Sequence, residues 1–478
     1  MTFLSYSFGL FFLASAAVYH AAPRKIKPGI LLAASLVFYG WARPVFLILL
    51  AGEALAAFGF ALWLEKKDRP GRRIVFVTAL AALLAPLLVF KYSDFLLRAF
   101  RPGEAGALLG LILPAGISFY TFKALSYVID VGRGRISAER NPVLVGAYIT
   151  FFPQILAGPI ERAAPLLAQL RGDYRFDLGR AAGGFRLLLW GLFKKIVVAD
   201  RMAQYVNIVF ETPADYAGLG LVIGLVFYSY QIYCDFSGYS DMAVGLGRML
   251  GFETMDNFRF PYFSRSIAEF WSRWHISLSS WLRDYLFLPV SYALSRKIKA
   301  GRVLFLKTEF VLYLAAMSVT MLLCGLWHGA NWTFIVWGAV HALYLVASRA
   351  TQGVRKRTAR RLRLRRSGRA WGFFRTVFSF SLVTLAWVFF RSPTLAAAGN
   401  YLSHISWALP RRGVGVILFL GSILAVFILA EVLIMNRKTL WGDRRVPAPL
   451  QAAAYALFLC LIIILAADTS NEFLYFQF

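Results

Sequence analysis

The dominant pattern along the chain is a succession of apolar runs, most of them near the roughly 20 residues that an α-helix needs to cross a hydrocarbon core, separated by short loops rich in lysine and arginine. The runs lie near 2–21, 28–41, 43–64, 74–97, 107–132, 183–210, 216–248, 303–326, 331–348, 371–391, 413–436 and 448–467. They predict an all-α polytopic membrane protein with about 11–12 spanning helices. Two stretches break the pattern. Residues 142–170 and 252–295 are apolar but carry many charges and are interrupted by Pro153, Pro159, Pro165, Pro261 and Pro289. Proline removes a helical hydrogen bond, and irregular backbone persists at membrane depth only where protein or a wet cavity surrounds it. Re-entrant or interfacial helices lining an internal chamber are expected there. With no internal repeat of solenoid or transporter type visible, residues 1–478 are expected to form one domain.

Composition supports the same environment. Of the 478 residues 59% are hydrophobic and 16% aromatic, whereas a soluble domain is about 45–50% apolar. The first run has no basic residue before it and no cleavage pattern after it, so it reads as a transmembrane helix and not as a signal peptide. The net charge of +28 resides in the loops. Those at 24–27, 65–73, 132–140, 296–302, 349–369 and 437–445 all become cytoplasmic if both termini face outward. The densest block, Arg349 to Arg369, reads as a loop against anionic membrane lipid, and no nucleic-acid partner is expected. Cys234, Cys324 and Cys460 lie far apart within or beside apolar stretches and read as packing residues, forming neither a disulfide framework nor a thiolate metal site. The last residues, Asn471 to Phe478, read as native sequence.

Against this background ionisable side chains stand out, because intramembrane histidines and carboxylates are uncommon and usually functional. His328 sits in Trp327-His328-Gly329-Ala330-Asn331-Trp332 between two apolar runs. Gly325 and Gly329 let another backbone or a substrate approach, and Trp327 and Trp332 are expected to wall an uncharged imidazole able to accept a proton. His275 lies in the aromatic stretch Trp271-Ser272-Arg273-Trp274-His275. His20 and His404 read as interfacial or solvated rings, and His341 as a packing residue. Asp235 and Asp241 flank Ser237 and Tyr239; with Glu269 and Asp284 these carboxylates read as a scaffold of ion pairs before they read as catalysts, with Arg248, Arg259, Arg265, Arg273 and Arg283 as the nearby cations. A metal site on His275 and His328 would lack an obvious third ligand, so none is assigned.

Several of these motifs, together with Lys91-Tyr92, the stretch Leu113 to Phe122, the stretch Phe151 to Ile160 and Arg283-Asp284-Tyr285, occur in an order that resembles the membrane-bound O-acyltransferase family, in its bacterial branch acting on exported glycans. The resemblance covers nearly the whole chain. It implies a bacterial inner-membrane enzyme in which a ring of helices surrounds a thinned centre, with His328 matching the family's catalytic histidine and His275 its second motif histidine. Asp235, Ser237, Tyr239, Asp241, Trp274, Arg283, Asp284, Trp327 and Asn331 then become supporting or substrate-binding residues. The resemblance further implies acetyl transfer from a cytoplasmic thioester, acetyl-CoA or an acyl-carrier protein, with no permanently bound cofactor, either directly or through a transient acyl-enzyme. The acceptor is an exported polysaccharide such as alginate, another surface glycan or peptidoglycan, with D-alanyl transfer to teichoic acid as a more distant option. Partners implied are the acyl donor or carrier protein and extracytoplasmic polysaccharide-modification subunits. Rival readings of the same sequence are a transporter or flippase and a non-catalytic membrane subunit of a secretion complex, in which the histidines only pack.

Overall fold

A computed structural model describes the chain apart from residues 67, 69, 101–108, 217, 362–367, 411, 438–446, 468–472 and 474–478. Arg363, Arg365 and Arg366 of the basic block, most of the loop 437–445 and most of the stretch 471–478 therefore lie outside the described residues. The helices are α1 (Tyr6–Ala21), α2 (Lys27–Gly40), α3 (Phe46–Glu65), α4 (Arg72–Phe100), α5 (Ile117–Gly132), α6 (Pro142–Thr150), α7 (Ala163–Leu170), α8 (Leu178–Leu192), α9 (Asp200–Glu211), α10 (Leu219–Met249), α11 (Ile267–Arg273), α12 (Ile276–Leu282), α13 (Leu288–Lys297), α14 (Thr308–His328), α15 (Trp332–Ala350), α16 (Gln352–Arg361), α17 (Arg369–Arg391), α18 (Leu395–Ser403), α19 (Val414–Arg437) and α20 (Ala448–Leu465). A two-stranded antiparallel hairpin, Arg302–Val303 with Leu306–Lys307, interrupts the loop before α14. Among the described residues seven helices are long and apolar enough to cross a membrane, and three further apolar helices are shorter.

The expected helices form, with three corrections to their bounds, the first being that the run 303–326 opens in the hairpin and becomes helix only at Thr308. The run 107–132 does not begin as helix. Residues 109–116 are irregular, Pro114 and a left-handed Gly116 (φ 72°) precede α5, and a Cβ at Gly116 would lie 2.2 Å from the Ile155 carbonyl oxygen. The run 183–210 is not one helix but α8 and α9, joined by a π-helical turn at Phe193–Ala199. That turn holds Lys194 and Lys195, and single π-turns inside α-helices are frequent at functional sites.

The chain divides into two compact units, Met1–Leu192 with Gly238–Asp256, and Phe193–Ser237 with Asn257–Phe478. In the first, α8 crosses the end of α10 through paired glycines. A Cβ on Gly184 would lie 2.5 Å from the Gly245 carbonyl oxygen, and one on Gly191 would lie 2.5 Å from that of Gly238. Small residues at such crossings let backbones approach where lipid offers no hydrophobic drive to association. The proline-broken stretch 142–170 becomes α6, a buried turn and α7, with Phe151, Phe152 and Gln154 inaccessible, so its irregular backbone is enclosed by protein. In the second unit the part of the stretch 252–295 from Asn257 onward holds three short helices, α11 to α13, which meet the hairpin of α14 and α15 and the helix α17.

Candidate active site

His328 is the last residue of α14. The chain turns through Gly329 and Asn331, whose side-chain oxygen accepts the Thr333 N–H at 3.1 Å and caps α15, while its Nδ2 donates to the Pro393 carbonyl at 2.9 Å. Asn331 thus shapes the turn that carries His328. The glycines are explained by the same hairpin: a Cβ on Gly325 would sit 2.2 Å from the Phe334 carbonyl oxygen, and one on Gly338 would sit 2.2 Å from that of Met321. Of the two reasons offered for bare backbone beside His328, the close approach of another helix is the one observed. The imidazole is 3% exposed. Its ring is met edge-on by Trp337 and Phe390, each with centroids 5.1 Å away, and by Trp327 at 4.9 Å. Trp332, expected as a wall, is instead 60% exposed. It occupies the first position of α15 and projects outward, whereas Trp337, five residues on, faces the histidine.

His275 lies between α11 and α12 in a left-handed conformation (φ 43°, ψ 54°) that is costly for a residue with a Cβ and is often found at functional sites. Its ring is fully buried, edge-on to Phe236 at 4.6 Å and 5.9 Å from Trp327. Trp327 therefore touches both histidines. The Nδ1 of His275 is 3.0 Å from the side-chain oxygen of Asn257. Burial pushes its pKa down to about 3, so the ring is neutral at physiological pH. A third histidine joins the cluster: His341 accepts a hydrogen bond from the Trp271 indole N–H at 3.3 Å and packs edge-on against Trp337 at 4.8 Å.

The remaining predicted residues divide. Trp274 is buried and packs on Phe258 (5.0 Å, 86°) and Trp387 (5.2 Å). Asp235 is 2.6 Å from Lys195, which also reaches Asp200 at 2.9 Å, and all three side chains are buried. Lys195, which precedes Asp235 in the chain, is thus a cation serving it. Of the arginines expected nearby, Arg273 lies 2.6 Å from Glu269, Arg283 2.9 Å from Asp284 and Arg248 3.3 Å from Glu253. Ser237 is buried on α10 within the same unit as the histidines, whereas Tyr239, stacked on Phe3 at 5.8 Å, and half-buried Asp241 belong to the first unit. Arg283 lines a cavity of about 260 Å³ together with Trp271, Ser279, Tyr313, Met317 and Thr320.

Asn257, Lys195, Asp200 and Glu431, which accepts a hydrogen bond from the Tyr233 hydroxyl at 2.5 Å, are not anticipated from sequence. A signal existed for two of them: Lys195 and Asp200 interrupt an otherwise apolar run, where a charge needs a partner.

Residues 141–390 match the family model for MBOAT, the membrane-bound O-acyltransferase family. The chain is 34% identical to probable alginate O-acetylase AlgI of Pseudomonas putida, over 96% of each chain. It is 32% identical to peptidoglycan O-acetyltransferase of Helicobacter pylori, over 77% of this chain and 71% of that one. It is also 27% identical to teichoic acid D-alanyltransferase of Bacillus subtilis, over 59% of this chain and 70% of the other.

Proposed function

The chain belongs to the membrane-bound O-acyltransferase family, and from that premise we propose that this multi-pass membrane enzyme carries an acetyl group from a cytoplasmic thioester to hydroxyls of an exported polysaccharide. Acyl donors are made inside the cell and the polymer lies outside, so a site within the membrane joins reactants that never share a compartment. The donor is acetyl-CoA or an acyl-carrier protein. Relatives named for alginate and peptidoglycan acetylation support a glycan acceptor.

In this reading His328 is the general base. Its ring takes the proton of the attacking hydroxyl as that oxygen bonds to the thioester carbonyl carbon. The tetrahedral intermediate collapses, the carbon–sulfur bond breaks, and the departing thiolate recovers the proton from the imidazolium. Surrounding aromatics exclude water, which would otherwise hydrolyse the thioester. The reading rests on one observation: two buried histidines, one ending α14 and one between α11 and α12 in a left-handed backbone conformation, both lie against the ring of Trp327. Lys195 with Asp235 and Asp200 ties the π-helical turn to α9 and α10.

The test uses purified protein in sealed vesicles, with acetyl-CoA supplied on one side and an alginate oligosaccharide on the other. The expected result is ester formation on the glycan that requires both reactants and intact protein. Passage of either molecule without ester formation would replace this reading by a transporter or flippase. Ester formation that continues when the histidines are substituted, provided accessory subunits assemble, would make the chain a non-catalytic subunit.

A further inference from the structure

We propose that Asn257 is a positioning residue for the transfer reaction: it holds His275 as the Nδ1–H tautomer, so that this ring offers a substrate a hydrogen-bond acceptor at Nε2 and not a donor. This deepens, and rests on, the acyltransferase reading.

The argument begins with a helix end. The first N–H groups of a helix have no partner within it and are usually met by a Ser, Thr, Asp or Asn side chain at the preceding position. Here that position is His275, whose side chain makes no capping bond. Asn257, 18 residues earlier, takes over. The Ile276 N–H donates to its backbone oxygen at 2.9 Å, and the Ser277 N–H donates to its side chain at 3.2 Å. A backbone N–H can only donate, so the side-chain atom of Asn257 that faces it is the carbonyl oxygen and not the amide nitrogen. The Ser277 hydroxyl donates to the same oxygen at 2.9 Å. His275 Nδ1 is the third group on that oxygen, at 3.0 Å. An amide oxygen carries no hydrogen, so this contact is a hydrogen bond only when Nδ1 holds the proton. In the neutral ring the lone pair is then on Nε2.

Desolvation of the fully buried ring keeps it neutral, which preserves the assignment through the physiological range. The chemical consequence is definite. A neutral His275 repels a developing oxyanion through its Nε2 lone pair, so oxyanion stabilisation falls to other donors. His275 instead accepts a hydrogen bond from a hydroxyl or amide N–H of a bound reactant and fixes its orientation.

Two measurements test this. Nitrogen-15 spectra of histidine-labelled protein, with a His275→Gln variant to assign the signals, are expected to show His275 protonated at Nδ1 and bare at Nε2. The reverse pattern would overturn the proposal, whether or not the protein transfers acyl groups, whereas absence of transfer by the wild type would overturn the enzyme reading alone. The second measurement is the pH dependence of kcat/KM in Asn257→Asp. Aspartate keeps the acceptor and the cap but places a negative charge beside Nδ1, stabilising the imidazolium. The acid limb is expected to move about one pH unit or more toward alkaline values, with thermal stability retained. An unchanged profile in a folded Asn257→Asp protein would overturn the proposal. Asn257→Ala, which removes cap and acceptor together, is expected to lose more activity than Asn257→Asp; equal losses would count against the tautomer role.

Discussion

Substituting Gly325 by alanine perturbs the site without touching either histidine. The added Cβ would lie 2.2 Å from the Phe334 carbonyl oxygen and 3.0 Å from its carbon, against ordinary contact beginning at 3.4 Å. The obstacle is backbone, which cannot swing aside as a flexible side chain would, so α14 and α15 must separate by the difference, 3.4 − 2.2 = 1.2 Å, at this crossing. His328 is three residues further along α14 and moves with it, away from Trp337 and Phe390, which hold its ring. Overpacking of this kind costs about 1–3 kcal/mol of stability, and a misplacement of about 1 Å at a reacting group costs about 100-fold in rate. The assay is steady-state acetyl transfer by purified protein in lipid nanodiscs, with thermal unfolding measured in parallel. A roughly 100-fold fall in kcat is expected, with KM far less changed and a folded protein. Gly421→Ala in α19 is the control, because its Cβ would meet nothing within 4 Å. It should leave both rate and stability unaltered. Wild-type kcat in Gly325→Ala would refute the claim that the spacing of this hairpin places His328.

Three further outcomes follow from the same structure. Lys195→Met leaves Asp200 and Asp235 buried without their cation and should lower stability by about 3–5 kcal/mol; a loss below about 1 kcal/mol on chemical denaturation would mean that this cluster is not a scaffold. Unfolded His275 binds a proton near pH 6.5 but the folded ring does so only near 3, so the unfolded state holds more protons between these values and stability falls as pH drops below about 6.5, by up to ~1.4 kcal/mol per unit. His275→Gln should flatten that slope, and parallel stability curves for the two proteins would contradict a buried neutral ring. Trp332→Ala, at an exposed position, should change kcat less than threefold, whereas Trp337→Ala, at a fully buried one beside His328, should abolish transfer or folding; equal effects, read by the same transfer assay, would reverse the assignment of the aromatic wall.

Much of the fold is legible along the chain because its helices are long apolar runs that satisfy their own backbone, and α3, α4, α10, α14, α15, α17 and α19 fall where hydropathy places them. Legibility fails where local backbone chemistry overrides hydropathy. Pro114 and Gly116 keep 109–116 out of helix although the residues are apolar, and the lysines of the π-helical turn split the run 183–210. His275 and His328 are visible because an imidazole among apolar residues needs a reason to be there. Their neighbours are less so. Asn257 looks like any loop asparagine until the fold sets its oxygen against His275 and Ser277, and Lys195 meets Asp235 across 40 residues of chain. Trp332 and Trp337 look equivalent in sequence, and only their positions around α15 separate a surface ring from a wall of the site. Pairings between distant segments depend on tertiary geometry, which no local pattern carries.

Acetyl transfer by the His328→Ala protein, compared with wild type in the same vesicles, tests most directly whether the buried imidazole performs the chemistry. The variant is expected to insert, elute and melt as the wild type does while transfer falls by about 100- to 10,000-fold, the usual contribution of a general base. Normal turnover in a folded His328→Ala protein would contradict it.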